Sequence, residues 1–153
     1  MQPEPKAEDV IRRFNQAFLQ HDAALLADLV ADECVMESIE PAPNGTRYEG
    51  REQCLSFWQA LAGDPGGSFE PEDVVVAGDR ATIRWRYRFG HGCARSVRGV
   101  NLMRVRAGKI VEALGYAKSG ASDVADALSQ ATSVRANRCP SGAGAAAASR
   151  SDT

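Results

Sequence analysis

Apolar residues recur at helical spacing in three segments near the beginning of the chain. The first segment has an i, i+1, i+4, i+7, i+8 spacing, which predicts a helix with one buried face. It consists of Val10, Ile11, Phe14, Ala17 and Phe18. A second stripe follows Asp22, a suitable helix N-cap, and consists of Leu25, Leu26, Leu29 and Val30. The third is predicted to begin after Gly50 and to end near Gly63, and it consists of Cys54, Leu55, Trp58, Leu61 and Ala62.

Later residues alternate between apolar and polar with a period of two, which is typical of half-buried antiparallel strands. The clearest case covers residues 80–89, where threonine and three arginines face away from an apolar set. That set is Ala81, Ile83, Trp85, Tyr87 and Phe89. Further strands are predicted over residues 34–39, 74–76, 97–106 and 109–117, with tight turns at 77–80 and 107–109. Three helices and a strand meander predict an α+β fold.

The chain length of 153 residues is enough for one domain with its own core. We expect residues 1–7 to be a disordered N-terminus and residues 8–118 to form the folded domain. Residues 119–153 are rich in alanine, serine and glycine, which predicts a mostly disordered tail. Within that tail, Val124 and Leu128 favour at most a weak helical turn.

The charge balance of 18 basic and 20 acidic residues gives a net charge of −2, which argues against nucleic-acid binding. No apolar run reaches the roughly 18–20 residues of a membrane span, and the first residues lack a secretory signal pattern. We therefore expect a cytoplasmic protein with no membrane partner. The four cysteines are widely spaced without a CxxC motif, which favours free thiols over a metal site.

One amide residue, Asn101, lies among apolar neighbours on the predicted strand 97–106. Its side chain shares a face with Gly99, Met103 and Val105. An unpaired polar group on such a face costs on the order of 1–3 kcal/mol. Asn101 therefore either makes a structural hydrogen bond or donates to a carbonyl or enolate oxygen of a ligand.

Three segments together resemble the NTF2-like superfamily, the cone-shaped fold of ketosteroid isomerases and SnoaL-like polyketide cyclases. These segments are AFLQHDAALLADLVADE, TRYEGREQCLSFW and RVRAGKIVE, and the likeness covers residues 8–118. The resemblance implies three N-terminal helices packed on a curved mixed, mainly antiparallel sheet. It also implies a homodimer formed through the outer sheet face, where Arg84, Arg86 and Arg88 would lie with Glu112 as a possible ion-pair partner.

Ketosteroid isomerase chemistry does not transfer to the matching positions. The oxyanion tyrosine of that enzyme falls on Phe14, its general base on Ser38 and its protonated aspartate on Asn101. Phenylalanine donates no hydrogen bond and serine is no base near neutral pH, so only the donor at Asn101 is kept. The Asp–Arg–Asp set of the related epoxide hydrolases is also lacking, because Asn101 replaces an acid and the arginines face outward.

The candidate catalytic residues are Glu37, Asn101 and Tyr48. Glu37 would move a proton if a bulge turned it inward; alternatively it is solvated or paired with Arg84 or Arg86. Tyr48 either donates to the substrate at the cavity mouth or packs its loop. The candidate substrate-binding residues, which could equally be core, are Phe14, Phe18, Ser38, Trp58, Trp85, Tyr87, Met103 and Gly115. A lone loop histidine, His91, is a weaker acid–base candidate.

The resemblance implies a cofactor-free and metal-free cyclase, isomerase or dehydratase that acts on a hydrophobic, polyketide-like carbonyl compound. Acid–base chemistry in an apolar pocket would carry the reaction. The alternative is a non-catalytic module that binds a hydrophobic ligand or a protein. A third possibility is an activity like that of the epoxide hydrolases.

Overall fold

The computed structural model describes residues 3–118, which form two α-helices and one six-stranded sheet. Helix α1 covers Ala7–Leu19 and helix α2 covers Arg51–Gly63. The strands are β1 (Val30–Glu37), β2 (Arg47–Glu49), β3 (Ser68–Ala77), β4 (Arg80–Phe89), β5 (Arg95–Arg106) and β6 (Lys109–Ala117). The predicted tail of residues 119–153 lies outside the described residues.

The sheet order is β2-β1-β6-β5-β4-β3, and β1 with β6 is the one parallel pair in the described part of the chain. All other neighbours are antiparallel. The predicted α+β class and the mixed, mainly antiparallel sheet are therefore confirmed. Both tight turns lie where the alternation predicted them, between β3 and β4 and between β5 and β6.

The core lies between the helices and one face of the sheet. The predicted stripe of α1 is buried in full, and so are the five apolar residues of β4. The arginines of β4 alternate with them and lie on the opposite, outer face. Burial of one face of each element is the main source of stability in such a layered domain.

The predicted second α-helix is wrong. Its residues form a single 3-10 turn over Ala23–Leu26, with the carboxylate of Asp22 accepting from the backbone N–H of Ala24 at 3.1 Å. Leu29 directly precedes β1, and Val30 is its first residue. The Ile110 N–H donates to the Leu29 carbonyl at 2.7 Å. Sheet pairing therefore decides the conformation of a segment whose apolar spacing alone favours a helix.

Two cysteines agree with the expectation of free thiols, and one does not. Cys34 and Cys54 are free and fully buried between β1 and α2. Burial raises the pKa of both thiols, which keeps them protonated at neutral pH. Cys93 is disulfide-bonded, so the expectation fails there. No helix within residues 3–118 is long and apolar enough to cross a bilayer.

Candidate functional site

An apolar cavity of about 90 Å³ lies between the two helices and the inner face of the sheet. Eight of the residues predicted from the sequence line it: Phe14, Phe18, Glu37, Ser38, Trp58, Trp85, Asn101 and Gly115. The wall is built from edge-to-face aromatic contacts, with Phe14 against Trp58, Phe18 against Phe69, and Phe69 against Trp85. Such contacts hold rings in fixed orientations, so the cavity has a defined shape.

Asn101 faces this cavity, and its side-chain amide is oriented by one hydrogen bond. The indole N–H of Trp85 donates to Asn101 Oδ1 at 3.0 Å. An indole nitrogen only donates, so the atom it contacts must be the amide oxygen. The other end of the amide, Nδ2, has no hydrogen-bond partner within residues 3–118. The amide N–H groups are therefore available to a ligand.

Glycines on both sides of Asn101 make room for this arrangement. A side chain at Gly99 would overlap the six-membered ring of Trp85 and the carbonyl oxygen of Tyr116. A side chain at Gly115 would lie 3.4 Å from Asn101 Oδ1 and 3.1 Å from the carbonyl oxygen of Glu37. The indole and the amide can approach each other because the neighbouring positions carry no Cβ.

Gly99→Ala is therefore expected to destabilise the protein by about 1–3 kcal/mol, the usual cost of overpacking. The added methyl group can be accommodated only if both the Trp85 ring and the backbone of Tyr116 shift. Urea unfolding measures the loss. Gly63→Ala is a matched control, because a Cβ at Gly63 on α2 meets no atom within 4 Å. Equal stability of the two variants would contradict the tight packing described here.

Glu37 is the one ionisable residue among those that line the cavity within residues 3–118. It follows the inward-facing Met36 at the end of β1, and its carboxylate pairs with Arg47 across the β1–β2 ladder at 3.4 Å. The predicted partners, Arg84 and Arg86, instead pair with Asp73 and Glu72. The acid therefore lies at the mouth of the cavity, in an ion pair that is half exposed.

Ser38 lines the cavity, but its hydroxyl is used by the loop that joins β1 to β2. It donates to the carbonyl of Glu40 at 2.9 Å and accepts from the Thr46 N–H at 3.3 Å. The hydroxyl of Thr46 donates to the same carbonyl at 2.7 Å. These bonds give Ser38 a structural role and fix the loop beside the cavity mouth.

The carboxyl group of Glu40 in this loop has a buried oxygen, Oε2, without a hydrogen-bond partner in the described part of the chain. Burial raises the pKa of Glu40 above its usual value of 4.5, because the charged form loses water without gaining a partner. The folded protein therefore holds this proton more tightly than the unfolded chain does. The stability that Glu40 contributes is fully present below pH 4.5 and is lost as the pH rises through its folded pKa.

Glu40→Gln is accordingly expected to raise the free energy of unfolding at neutral pH, since it removes the uncompensated charge. The gain should shrink to nothing as the pH falls below the usual glutamate pKa of 4.5. Urea unfolding at several pH values checks this. Glu4→Gln, at an exposed position before α1, is the control. A Glu40→Gln gain that does not depend on pH would contradict the assignment.

Three predicted site residues, and the weaker candidate His91, lie outside the cavity lining. Tyr48 faces α2, where its ring packs against Phe57 at 4.9 Å between centroids, so it does not stand at the mouth. Tyr87 is buried in the core, stacked on Phe69 at 4.4 Å, and burial raises its pKa to about 12. Met103 faces inward as expected but is 2% exposed within the core. His91 lies in a 3-10 turn and also does not line the cavity.

Several lining residues were missed from the sequence. They are Asn15, Met36, Ile39, Phe57, Leu61, Phe69, Pro71 and Ile83, whereas Ala113 shares a face of β6 with the predicted Gly115. Ile83 could have been found, because it shares the inner face of β4 with Trp85. Phe69 and Pro71 could not, because β3 was predicted to begin only at residue 74 and its bulge between Pro71 and Asp73 interrupts the alternation.

The chain matches the family model of the SnoaL-like domain over residues 11–113. The chain belongs to the SnoaL-like domain family. No match was found among functionally curated proteins. Among solved structures, an NTF2-like protein of unknown function from Mesorhizobium loti is 50% identical. That match covers 77% of this chain and 98% of that one, with a TM-score of 0.71.

Two more distant structures share the fold. A candidate polyketide cyclase from Sinorhizobium meliloti is 21% identical over 70% of this chain and 93% of that one, with a TM-score of 0.58. A candidate ketosteroid isomerase from Kribbella flavida is 17% identical over 74% of this chain and 78% of that one, with a TM-score of 0.62. At these identities the likeness shows the SnoaL-like fold, and the chemistry must be argued from the cavity.

Proposed function

We propose that this SnoaL-like protein binds a small, uncharged, largely apolar carbonyl compound and moves a proton on the carbon next to the carbonyl. The reaction class is that of a cofactor-free isomerase, cyclase or dehydratase. One observation carries the proposal. The Nδ2 of Asn101 is a hydrogen-bond donor without a protein partner in the described chain, and Asn101 lines a cavity whose walls are mainly apolar.

The lining argues against an anionic ligand, and the one carboxylate in it within residues 3–118, Glu37, is already paired with Arg47. Placing a charged group against aromatic and aliphatic walls costs several kcal/mol unless a counter-charge is present. Within residues 3–118, no arginine, lysine or histidine lines the cavity, and no group of three or more potential metal ligands was found. A neutral molecule with one acceptor oxygen fits these walls and the free N–H groups of Asn101.

Glu37 is the group proposed to move the proton. In this step its carboxylate takes a proton from the carbon beside the carbonyl, the electron pair of the broken C–H bond forms a carbon–carbon double bond, and the π pair of the carbonyl moves to its oxygen. The Asn101 N–H groups stabilise the negative charge that develops there. Glu37, now protonated, returns the proton to the same carbon or to a conjugated one. Arg47 keeps a second acid partner, Glu49 at 2.8 Å, when Glu37 turns inward.

A second candidate function is ligand binding without chemistry. The ion pair between Glu37 and Arg47 favours it, because that pair holds the carboxylate at the mouth rather than inside. The donor of Asn101 would then only anchor the ligand. An epoxide hydrolase reaction is not proposed, because a single carboxylate and no arginine line the cavity within residues 3–118.

Hydrogen–deuterium exchange of a small ketone separates the two candidates without knowledge of the natural substrate. 3-Cyclopentenone is a suitable probe, because its carbonyl and its double bond both acidify the hydrogens between them. Incubation in deuterium oxide, followed by proton NMR, measures their loss. Exchange above the buffer rate supports proton transfer. Binding of the ketone without exchange would support the binding module instead.

The outer face of the sheet is proposed to bind a second copy of the chain. Val100 opposite Tyr116 and Leu102 opposite Leu114 form an apolar stripe there, with Leu102 42% and Tyr116 54% exposed. Ion pairs flank the stripe, and one of them joins Glu72 to Arg98. The hydrogen bond from Arg98 lowers the pKa of Glu72. Both charge signs border an apolar centre, so a copy related by a two-fold axis can place acid against base.

Leu102→Asp is expected to weaken this dimer at least about 100-fold, because a carboxylate in the apolar centre would be buried without a partner. Light scattering after size-exclusion chromatography gives the mass of each species. Leu19→Asp is the matched control, since Leu19 on α1 is equally exposed, at 40%, on the other side of the molecule. A monomeric unmodified protein, or a dimer that survives Leu102→Asp, would contradict the proposal.

A further inference from the structure

We infer that Trp85 is a positioning residue that sets which ligand chemistry the cavity accepts. Its indole N–H occupies Asn101 Oδ1, so the amide presents donors, and no acceptor, to the ligand. The cavity would therefore select molecules whose buried end accepts a hydrogen bond over molecules whose buried end only donates one. This inference deepens the proposed function and rests on the ligand-binding half of it.

This preference for acceptor ligands arises because the asparagine amide carries an acceptor, Oδ1, at one end and a donor, the Nδ2 amino group, at the other. Rotation by 180° about the Cβ–Cγ bond would exchange the oxygen and the NH2 group. The amide would then present an acceptor to the cavity. The indole prevents this rotation, since two N–H groups facing each other would leave both donors unsatisfied. Trp85 is 5% exposed, so water does not readily replace the lost partner.

The position of the indole is itself fixed by the sheet. Trp85 lies opposite Gly99 in the β4–β5 ladder, and its ring covers the space that a Cβ at Gly99 would need. Phe69 holds the other side of the ring edge-to-face at 5.2 Å between centroids. The ring therefore has little freedom to turn its N–H away from Asn101. The backbone of Asn101 is fixed as well, because it pairs with Ile83, which precedes Trp85 by two residues on β4.

The test compares three uncharged ligands of one size class. Cyclopentanone accepts a hydrogen bond, pyrrole donates one without an accepting lone pair, and methylenecyclopentane does neither. NMR titrations give a dissociation constant for each with the full chain and with Trp85→Phe. We expect the unmodified protein to prefer cyclopentanone over both others. In Trp85→Phe the preference for cyclopentanone over pyrrole should fall about tenfold, the size of one neutral hydrogen bond.

A merely structural role of Trp85 would give a different result. Loss of packing changes the cavity for all three ligands, so their dissociation constants would rise together and the ratios would stay constant. Ile83→Val, which removes one methylene from the cavity wall, serves as the packing control and should show this uniform change. A constant ratio in Trp85→Phe, or an unmodified protein that binds pyrrole as well as cyclopentanone or binds none of the three, overturns the inference.

A second measurement needs no ligand. The chain has two tryptophans, so two indole N–H signals are expected in a proton–nitrogen correlation spectrum. Asn101→Leu should shift the Trp85 signal and speed its exchange with water, while the Trp58 signal keeps its position. Unchanged exchange of the Trp85 signal would also overturn the inference. Because these readouts do not involve Glu37, they can succeed when proton transfer fails, and proton transfer can succeed when they fail.

Discussion

Asn101→Leu is expected to slow the deuterium exchange of 3-cyclopentenone about 100-fold, the usual loss when one donor to a developing oxyanion is removed. Leucine has nearly the shape of asparagine, so the cavity keeps its walls. The substitution leaves the Trp85 indole N–H unpaired in the core, which should cost about 1–3 kcal/mol of unfolding free energy. Exchange rates by NMR and urea unfolding measure both effects on the same samples.

Asn101→Asp is the informative companion to that variant. Its carboxyl group still accepts from the Trp85 indole, so the packing hydrogen bond is kept, but it donates to the ligand only when it is protonated. An apolar cavity favours the protonated form. The exchange rate of Asn101→Asp relative to the unmodified protein should therefore fall towards that of Asn101→Leu as the pH rises and the carboxyl ionises, while the indole signal stays near its original position. Exchange at the unmodified rate in Asn101→Leu would show that the ketone oxygen is not held by the residue 101 side chain.

Glu37→Gln is expected to reduce the exchange of 3-cyclopentenone by roughly 100- to 10,000-fold, the contribution of a positioned general base. Ketone binding should change less than twofold or so, since the amide keeps the size of the acid and the donor at Asn101 is untouched. Stability should hardly change, because the Glu37–Arg47 pair is half exposed and such pairs contribute little.

Glu49→Gln is the matched control for that experiment. Glu49 is a second carboxylate that pairs with Arg47, at 2.8 Å, but it does not line the cavity. Its removal should slow exchange far less than Glu37→Gln does, because Glu49 shares only the Arg47 contact and does not line the cavity. If both variants exchange the ketone as fast as the unmodified protein, proton transfer by Glu37 is refuted and the binding module remains.

The period of two in β4 and β5 was sufficient to place most of the site. It put Trp85 and Asn101 on inner faces, and both line the cavity. It could not predict the hydrogen bond between them. That bond depends on the register of the two strands, with Trp85 opposite Gly99 and Ile83 opposite Asn101. The loop between the strands fixes the register, and its composition alone did not reveal it.

Tertiary context explains the predictions that were wrong. Leu25 to Val30 have helical apolar spacing, but pairing of Val30 with Ile110 in the parallel ladder begins a strand there. Tyr48 follows a loop, which suggested a mouth position, whereas its place opposite Met36 on β2 directs it towards α2. The partner of Glu37 came from the neighbouring strand β2 and not from the arginines of β4. In each case the deciding contact is remote in sequence, so local pattern did not contain it.

A crystal structure of the protein with cyclopentanone tests the central claim most directly. We expect the ring to lie against the aromatic wall, with its oxygen about 2.9 Å from the amide nitrogen that Trp85 leaves free. A ketone bound with its oxygen turned towards Arg47 and the solvent, or seated elsewhere while the cavity holds only water, would contradict the account.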